Sequence, residues 1–156
     1  MPTYMLRTTL DRLNKRLEEI QREKYVVARE LQEAASQGDL SENAEYDIAK
    51  EKKEMLALEE RRIKEYLGDA QLIEEISSPP DVVSVGKRVK IQDAASGKEQ
   101  VFAIIGELDK MEGVDSLSVG APLARGLLGK KLGRSVEVQL PRETRRYKIL
   151  EISNLF

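Results

Sequence analysis

A chain of 156 residues that is 35% charged, only 4% aromatic and without Trp is too poor in large apolar side chains for one big core, and two thin domains suit it better. It has neither Cys nor His, which excludes disulfides, sulfur-ligated metal, imidazole base catalysis and a self-contained zinc or Ser-His enzyme, so any hydrolytic chemistry must run through carboxylates. The net charge of −2 hides two opposed fields: residues 1–76 carry 13 Lys/Arg against 18 Asp/Glu, a net of −5, and residues 77–156 carry 13 against 10, a net of +3.

Arg7, Arg12, Lys15 and Arg16 interrupt the early apolar runs, so no signal peptide is expected, and no later stretch is long enough to cross a bilayer. The expectation is a soluble, cytoplasmic protein without a membrane partner.

The first element is a helix. Leu6, Leu10, Leu13, Leu17, Ile20, Lys24, Val27, Leu31 and Ala34 step by four and three, the a/d seam of a coiled coil, with Lys24 alone breaking it. Thr8 and Asp11 resemble a capping box, which starts the helix near Thr9; Gly38 as a left-handed C-cap ends it at Gln37. A second helix is predicted from about Glu42 to Glu75, with its seam on Ala49, Lys52, Leu56, Glu59, Ile63, Tyr66, Ala70 and Ile73. Folding back at residues 38–41 brings Lys24 near Leu56 and within a turn of Glu59. Either Lys24 and Glu59 meet across the seam, or both lay their stems along it and leave their charges in water. Arg29 with Glu33, Lys50 with Glu54 and Glu60 with Lys64 are spaced as surface ion pairs. With only Ala34, Ala44 and Ala49 to fill it, the distal seam should be thin.

Ser77-Ser78-Pro79-Pro80 stops any helix, which sets a hairpin domain at 1–76, a linker at 77–81 and a second domain at 82–156. There the period changes to two. Val83 and Val85, Val89 and Ile91, Val101 and Ala103, Val136, Val138 and Leu140, and Tyr147, Ile149 and Ile152 read as half-buried antiparallel strands, with Ala95 to Lys98 as a hairpin turn. Pro122 to Gly129 reads as one short helix. The predicted class is α+β: an N-terminal antiparallel two-helix coiled coil followed by a small antiparallel sheet domain with one short helix.

The corner between the long helices is acidic: Asp39, Glu42, Glu45 and Asp47 fall within nine positions. Asp39 as N-cap with Glu42 at N3 would be ordinary capping, and Glu45 and Asp47 would complement the helix dipole. The other reading is metal binding. Mg²⁺ commonly takes one or two carboxylates and completes its shell with water and phosphate oxygens, so Asp39 and Glu42 could complete a site that a partner supplies.

Gly38 to Asp47, GDLSENAEYD, closely resembles the GDLxENAEY tip of the GreA family of bacterial transcript cleavage factors, and Ala121 to Lys130, APLARGLLGK, resembles that family's SPxARGLLGK segment. The resemblance covers essentially the whole chain. It implies a factor, not itself an enzyme, that binds bacterial RNA polymerase, inserts its coil into the secondary channel and stimulates the polymerase's own cleavage of backtracked RNA at the nascent 3′ end. Asp39 and Glu42 would then stabilise an Mg²⁺ shared with the polymerase and position the attacking water, with Ser41, Asn43, Glu45 and Tyr46 in support. No cofactor of its own is implied. The resemblance also implies an FKBP-like second domain that docks on the polymerase, with Ala121, Pro122, Arg125 and Lys130 as the contact candidates. It departs from the family at Ala121, where Ser would cap the helix; Ser118 could cap it instead. The usual glycine-containing opening is also missing, replaced by Leu6 to Asp11.

Arg29, Lys50, Lys52 and Lys53 could meet RNA or form a solvated face, and the stretch from Arg125 to Lys148, with eight Lys/Arg and two Glu, could meet nucleic acid or an acidic surface. Two other readings stand beside the cleavage factor: an inhibitory paralogue that blocks the same channel, and an unrelated coiled-coil adaptor. The self-paired seam suggests a monomer.

Overall fold

The computed structural model describes residues 2–36 and 43–156. It divides into two compact units, Leu10–Asp69 and the chain through Thr9 together with Ala70–Phe156. Residues 1–9 and 70–76, expected in the hairpin domain, therefore belong to the sheet unit.

The hairpin unit is built on α1 (Arg7–Ala35) and α2 (Ala44–Gly68). Ile20 and Val27 of α1 pack with Leu56 and Ile63 of α2, flanked by Leu13, Leu17, Leu31 and Leu67. Toward the corner the buried residues are Ala34 and Ala49, so the distal seam is as thin as its side chains dictate. Lys24 does not reach Glu59. Its ammonium pairs with Glu60 at 3.3 Å, while Glu59 is held by Arg16 through a two-pronged contact, Nε to Oε1 at 2.7 Å and Nη2 to Oε2 at 2.8 Å. Arg16 also donates to Glu19 and Glu23. Of the expected surface pairs only Lys64 with Glu60 forms, at 3.7 Å; among the described residues Arg29 and Lys50 carry no ion pair.

α2 stops at Gly68 rather than at Glu75. Gly68 is a poor helix former, and the residues after it are drawn into the other unit: Ala70–Leu72 forms strand β2, paired in parallel with β1 (Thr3–Met5), and a 3₁₀ turn spans Ile73–Glu75. Ile73 and Leu6 keep the seam's spacing but are buried in the core of the sheet unit.

α1 starts at Arg7, and no capping box closes it. Its first amides are taken by carboxylates distant in sequence: Leu6 N–H donates to Asp109 at 2.9 Å and Arg7 N–H to Glu74 at 2.9 Å. The buried Thr9 hydroxyl donates to the same Asp109 oxygen, and the other oxygen of Asp109 accepts Gly106 N–H at 2.7 Å.

The main sheet comprises β3 (Lys87–Asp93), β4 (Glu99–Ile105), β5 (Ser116–Ser118), β6 (Ser135–Gln139) and β7 (Thr144–Asn154), in the order β5-β4-β3-β7-β6. It is mixed rather than wholly antiparallel, because β5 joins β4 in parallel. The register slips between Lys90 and Ile91, which pair with Glu151 and Ile149, leaving Leu150 as a bulge. That extra residue lets Ile149 and Ile152, three apart, both pack on the core. Val83 and Val85 are buried as expected but lie outside the sheet's strands. Residues 79–82 are tied down by Lys87, a buried lysine whose ammonium donates to the carbonyls of Pro79 and, at 2.8 Å, Val82. Burial lowers its pKa, with the Asp81 charge opposing.

The hairpin's ion cluster gives a pH signature. The Arg16 hydrogen bonds hold the Glu59 carboxyl below its usual range, with desolvation opposing. A depressed folded pKa stabilises above the unfolded value and is lost as pH falls through the folded one. Thermal melts followed by helical circular dichroism should therefore lose midpoint between pH 6 and pH 3, and Glu59→Gln should show a smaller loss over the same interval.

Candidate functional site

Asp39, Ser41 and Glu42 lie outside the described residues. The described residues nearest to them are the pair of helix ends on either side. At the end of α1, Ser36 N–H donates to Gln32 carbonyl at 3.2 Å and its hydroxyl to Glu33 carbonyl at 2.7 Å. At the start of α2, Asn43 is the N-cap: extended at φ −88°, it accepts Tyr46 N–H on its side-chain oxygen at 3.1 Å, and its carbonyl takes Asp47 N–H at 3.2 Å. The same side chain donates to Ala34 carbonyl at 2.7 Å. Glu45 and Asp47 are exposed in the first turn of α2, where the positive end of the helix dipole favours acid; Tyr46 is half-buried.

Basic residues surround this end. Lys52 pairs with Glu30 at 3.5 Å, while Arg29, Lys50 and Lys53 are exposed and carry no ion pair among the described residues. One side of the hairpin carries exposed apolar side chains. Val26, Met55 and Leu58 are all exposed and line an open groove together with charged residues that include Arg22, Glu23, Glu59 and Arg62. Among the described residues no group of three or more His, Cys, Asp or Glu could hold a metal ion. None of the helices among those residues is long and apolar enough to cross a membrane.

The second candidate lies in the sheet unit. α3 (Pro122–Leu127) starts with Pro at its first position and packs Ala124 and Leu127 inward, with Leu123 and Leu128 half-buried against the same core. A Cβ at Gly126 would fall 2.7 Å from a Val138 methyl, so glycine is what lets the helix lie on β6. Pro122, Arg125 and Lys130 are exposed, Ala121 is half-buried, and neither cation has an ion pair among the described residues. Among the described residues no side chain caps α3. Ser118 does not do so: its hydroxyl accepts Gly120 N–H at 3.2 Å and its carbonyl Ala121 N–H at 2.9 Å.

Sequence reasoning missed Asp109 and Glu74 as caps of α1. No local signal could have found them, since their partners stand 103 and 67 positions away. Both hydrogen bonds of Asn43 were missed as well: capping was expected at Asp39 with Glu42 and the helix from Glu42, whereas Asn43 caps a helix that starts at Ala44, and its bond to Ala34 lies nine positions away.

Residues 3–72 match a family model described as transcription elongation factor, N-terminal, and residues 78–154 one described as transcription elongation factor, GreA/GreB, C-term. The chain is 34% identical over 149 residues to transcription elongation factor GreA of Flavobacterium johnsoniae, covering 93% of this chain and 94% of that protein. It is also 34% identical over 151 residues to transcription elongation factor GreA of Thermotoga neapolitana, covering 96% of each. The crystal structure of GreA factor homolog 1 (Gfh1) of Thermus thermophilus aligns over 99% of this chain and 100% of that one, at 20% identity and a TM-score of 0.45.

The uncapped start of α3 is directly testable. Ala121→Ser should stabilise the sheet unit by roughly 0.5–1 kcal/mol, read as a higher midpoint in urea unfolding with an unchanged slope. An unchanged midpoint would mean that the serine fails to reach the free amides of the first turn.

Proposed function

The chain belongs to the GreA/GreB family of transcription elongation factors, and from that premise we propose that it binds bacterial RNA polymerase and stimulates the polymerase's own cleavage of backtracked nascent RNA. The hairpin enters the secondary channel, and the hydrolytic centre it serves belongs to the polymerase, so the chain is an accessory factor rather than an enzyme. The observation that carries this reading is the GDLSENAEYD sequence, which falls in the chain at the junction of two long helices, in a protein that matches both halves of the family in order.

The physical fit supports it. Twenty-nine residues of α1 span about 44 Å at 1.5 Å per residue, long enough to carry a corner deep into a partner. The exposed apolar flank of Val26, Met55 and Leu58 is costly in water and suited to a covered passage.

Asp39 and Glu42 are a partial set of hard oxygen donors, which fits a divalent cation shared with another protein and not one held alone. Asp39 and Glu42 are the proposed ligands to that Mg²⁺. When bound, the ion stabilises charge on the scissile phosphate and lowers the pKa of an attacking water. The chain's own contribution is to bring negative charge and hydrogen-bond acceptors to that water, with Ser41, Asn43, Glu45 and Tyr46 supporting the corner. The nascent RNA 3′ end is thus a partner only within the polymerase complex. Docking of the sheet unit is assigned to Ala121, Pro122, Arg125 and Lys130, whose two unpaired cations suit an acidic surface.

Stalled, backtracked complexes in Mg²⁺ should release short 3′ RNA fragments on addition of the chain. Asp39→Ala with Glu42→Ala should lower the maximal rate by about 100-fold or more while polymerase binding survives. Undiminished cleavage by the double variant, or inhibition without cleavage by the native chain, would overturn the reading. In the same titration, Arg125→Glu with Lys130→Glu should raise the half-saturating concentration about tenfold and leave the maximal rate unchanged.

A further inference from the structure

We infer that Asn43 is a positioning residue, the crosspiece that pins the end of the first long helix to the start of the second; its catalytic consequence rests on the reading of Asp39 and Glu42 given above. The last four carbonyls of α1 have no partner within the helix. Gln32 and Glu33 are served by Ser36, the next residue beyond the helix. Ala34 is served by Asn43, nine positions on and in the other arm, at 2.7 Å.

The oxygen of that same amide caps α2 by accepting Tyr46 N–H at 3.1 Å. A short primary amide is the one side chain that can do both. Ser and Asp cap helices about as well as Asn, and ionised Asp has no proton to donate to a carbonyl. A serine hydroxyl has one proton and a shorter reach, and it keeps the cap without the bridge. The N-cap therefore explains only half of what Asn43 does.

The surrounding sequence is built for the bridge. Ala34 and Ala49 are 3% and 2% exposed, so the arms meet on methyl groups at this level and the Ala34 carbonyl comes within reach of a two-carbon side chain. Residues 37–42 run between the two ends that this amide joins. Where a reacting group is misplaced by about 1 Å, rates fall by about 100-fold, so pinning those ends bears on rate rather than on affinity.

The test uses the full chain carrying Asn43→Ser, which keeps the cap, beside Asn43→Ala, which loses both bonds. The chain has no native Cys, so spin labels at Glu33→Cys and Lys50→Cys, both outside the buried seam, report the separation of the arms without interference. Asn43→Ser should broaden that distance distribution while the helical circular dichroism stays native. On backtracked complexes it should lower the maximal cleavage rate by about 10–100-fold. The half-saturating concentration of the chain should stay within about twofold of native, and the Mg²⁺ required for half-maximal cleavage should rise. A distribution as narrow as native overturns the pinning. A native maximal rate in Asn43→Ser, or a loss confined to polymerase affinity, overturns the positioning role. Absence of cleavage with the native chain sinks the reading of the corner, and the catalytic role with it, while the distance measurement still decides the bridge.

Discussion

A helix leaves four amides unpaired at its start and four carbonyls at its end, and α1 has no acid in its first turn and no base in its last to offset them. Its neighbours serve several of these groups at each end. At the start, Asp109 and Glu74 supply carboxylate oxygens to the amides of Leu6 and Arg7; at the end, Ser36 and Asn43 supply donors to the carbonyls of Glu33 and Ala34. Each solution also fixes something else. Asp109 gathers Leu6, Thr9 and Gly106 onto one carboxylate, so the first turn of α1 is part of the sheet unit's own bonding. Asn43 joins the two arms of the hairpin where the seam is least able to hold them.

That weakness comes from the side chains. Between Leu13 and Leu31 the seam is filled by Leu, Ile and Val except at Lys24, and full burial of such a side chain, as at Ile20, contributes on the order of 1.5–3 kcal/mol. At Ala34 and Ala49 only methyl groups remain. A wider seam residue there would bury more area and would also move the Ala34 carbonyl away from Asn43. The corner trades apolar burial for a directional hydrogen bond between backbone and amide, which specifies a separation in a way that non-directional packing does not.

The sequence was legible where its signals are local. The four-and-three stepping from Leu13 to Ala34 reports a seam because each contact recurs within two turns, and the period-two runs at Val89, Ile91, Val136 and Val138 report a sheet for the same reason. It misled where local spacing coincided with a distant destination: Ile73 keeps the step of α2 past Gly68, yet it is buried with Leu6 beneath the sheet. β1 and β5 have three residues each, too few to show alternation, and both pair in parallel, an arrangement that no tight turn between strands can announce. At the candidate site neither bond of Asn43 was legible: the sequence offered Asp39 with Glu42 as the cap, whereas the helix starts at Ala44 with Asn43 as its N-cap, and Ala34 is chosen by the fold.

The ion cluster shows how side-chain chemistry decides register detail that spacing leaves open. Counting along the seam puts Lys24 within a turn of both Glu59 and Glu60, yet Glu59 goes to Arg16, whose planar fork meets both carboxylate oxygens at 2.7 and 2.8 Å. A lysine ammonium can offer only a point charge, and it settles against Glu60, which is already shared with Lys64. Glu59 and Glu60 are thereby neutralised within the hairpin, whereas Glu45 and Asp47 stand exposed at the start of α2 with no ion pair among the described residues. Arg29, Lys50 and Lys53 lie nearby yet pair with neither of them among the described residues, so both carboxylates keep their charge available to a cation that a larger partner presents in the complex proposed here.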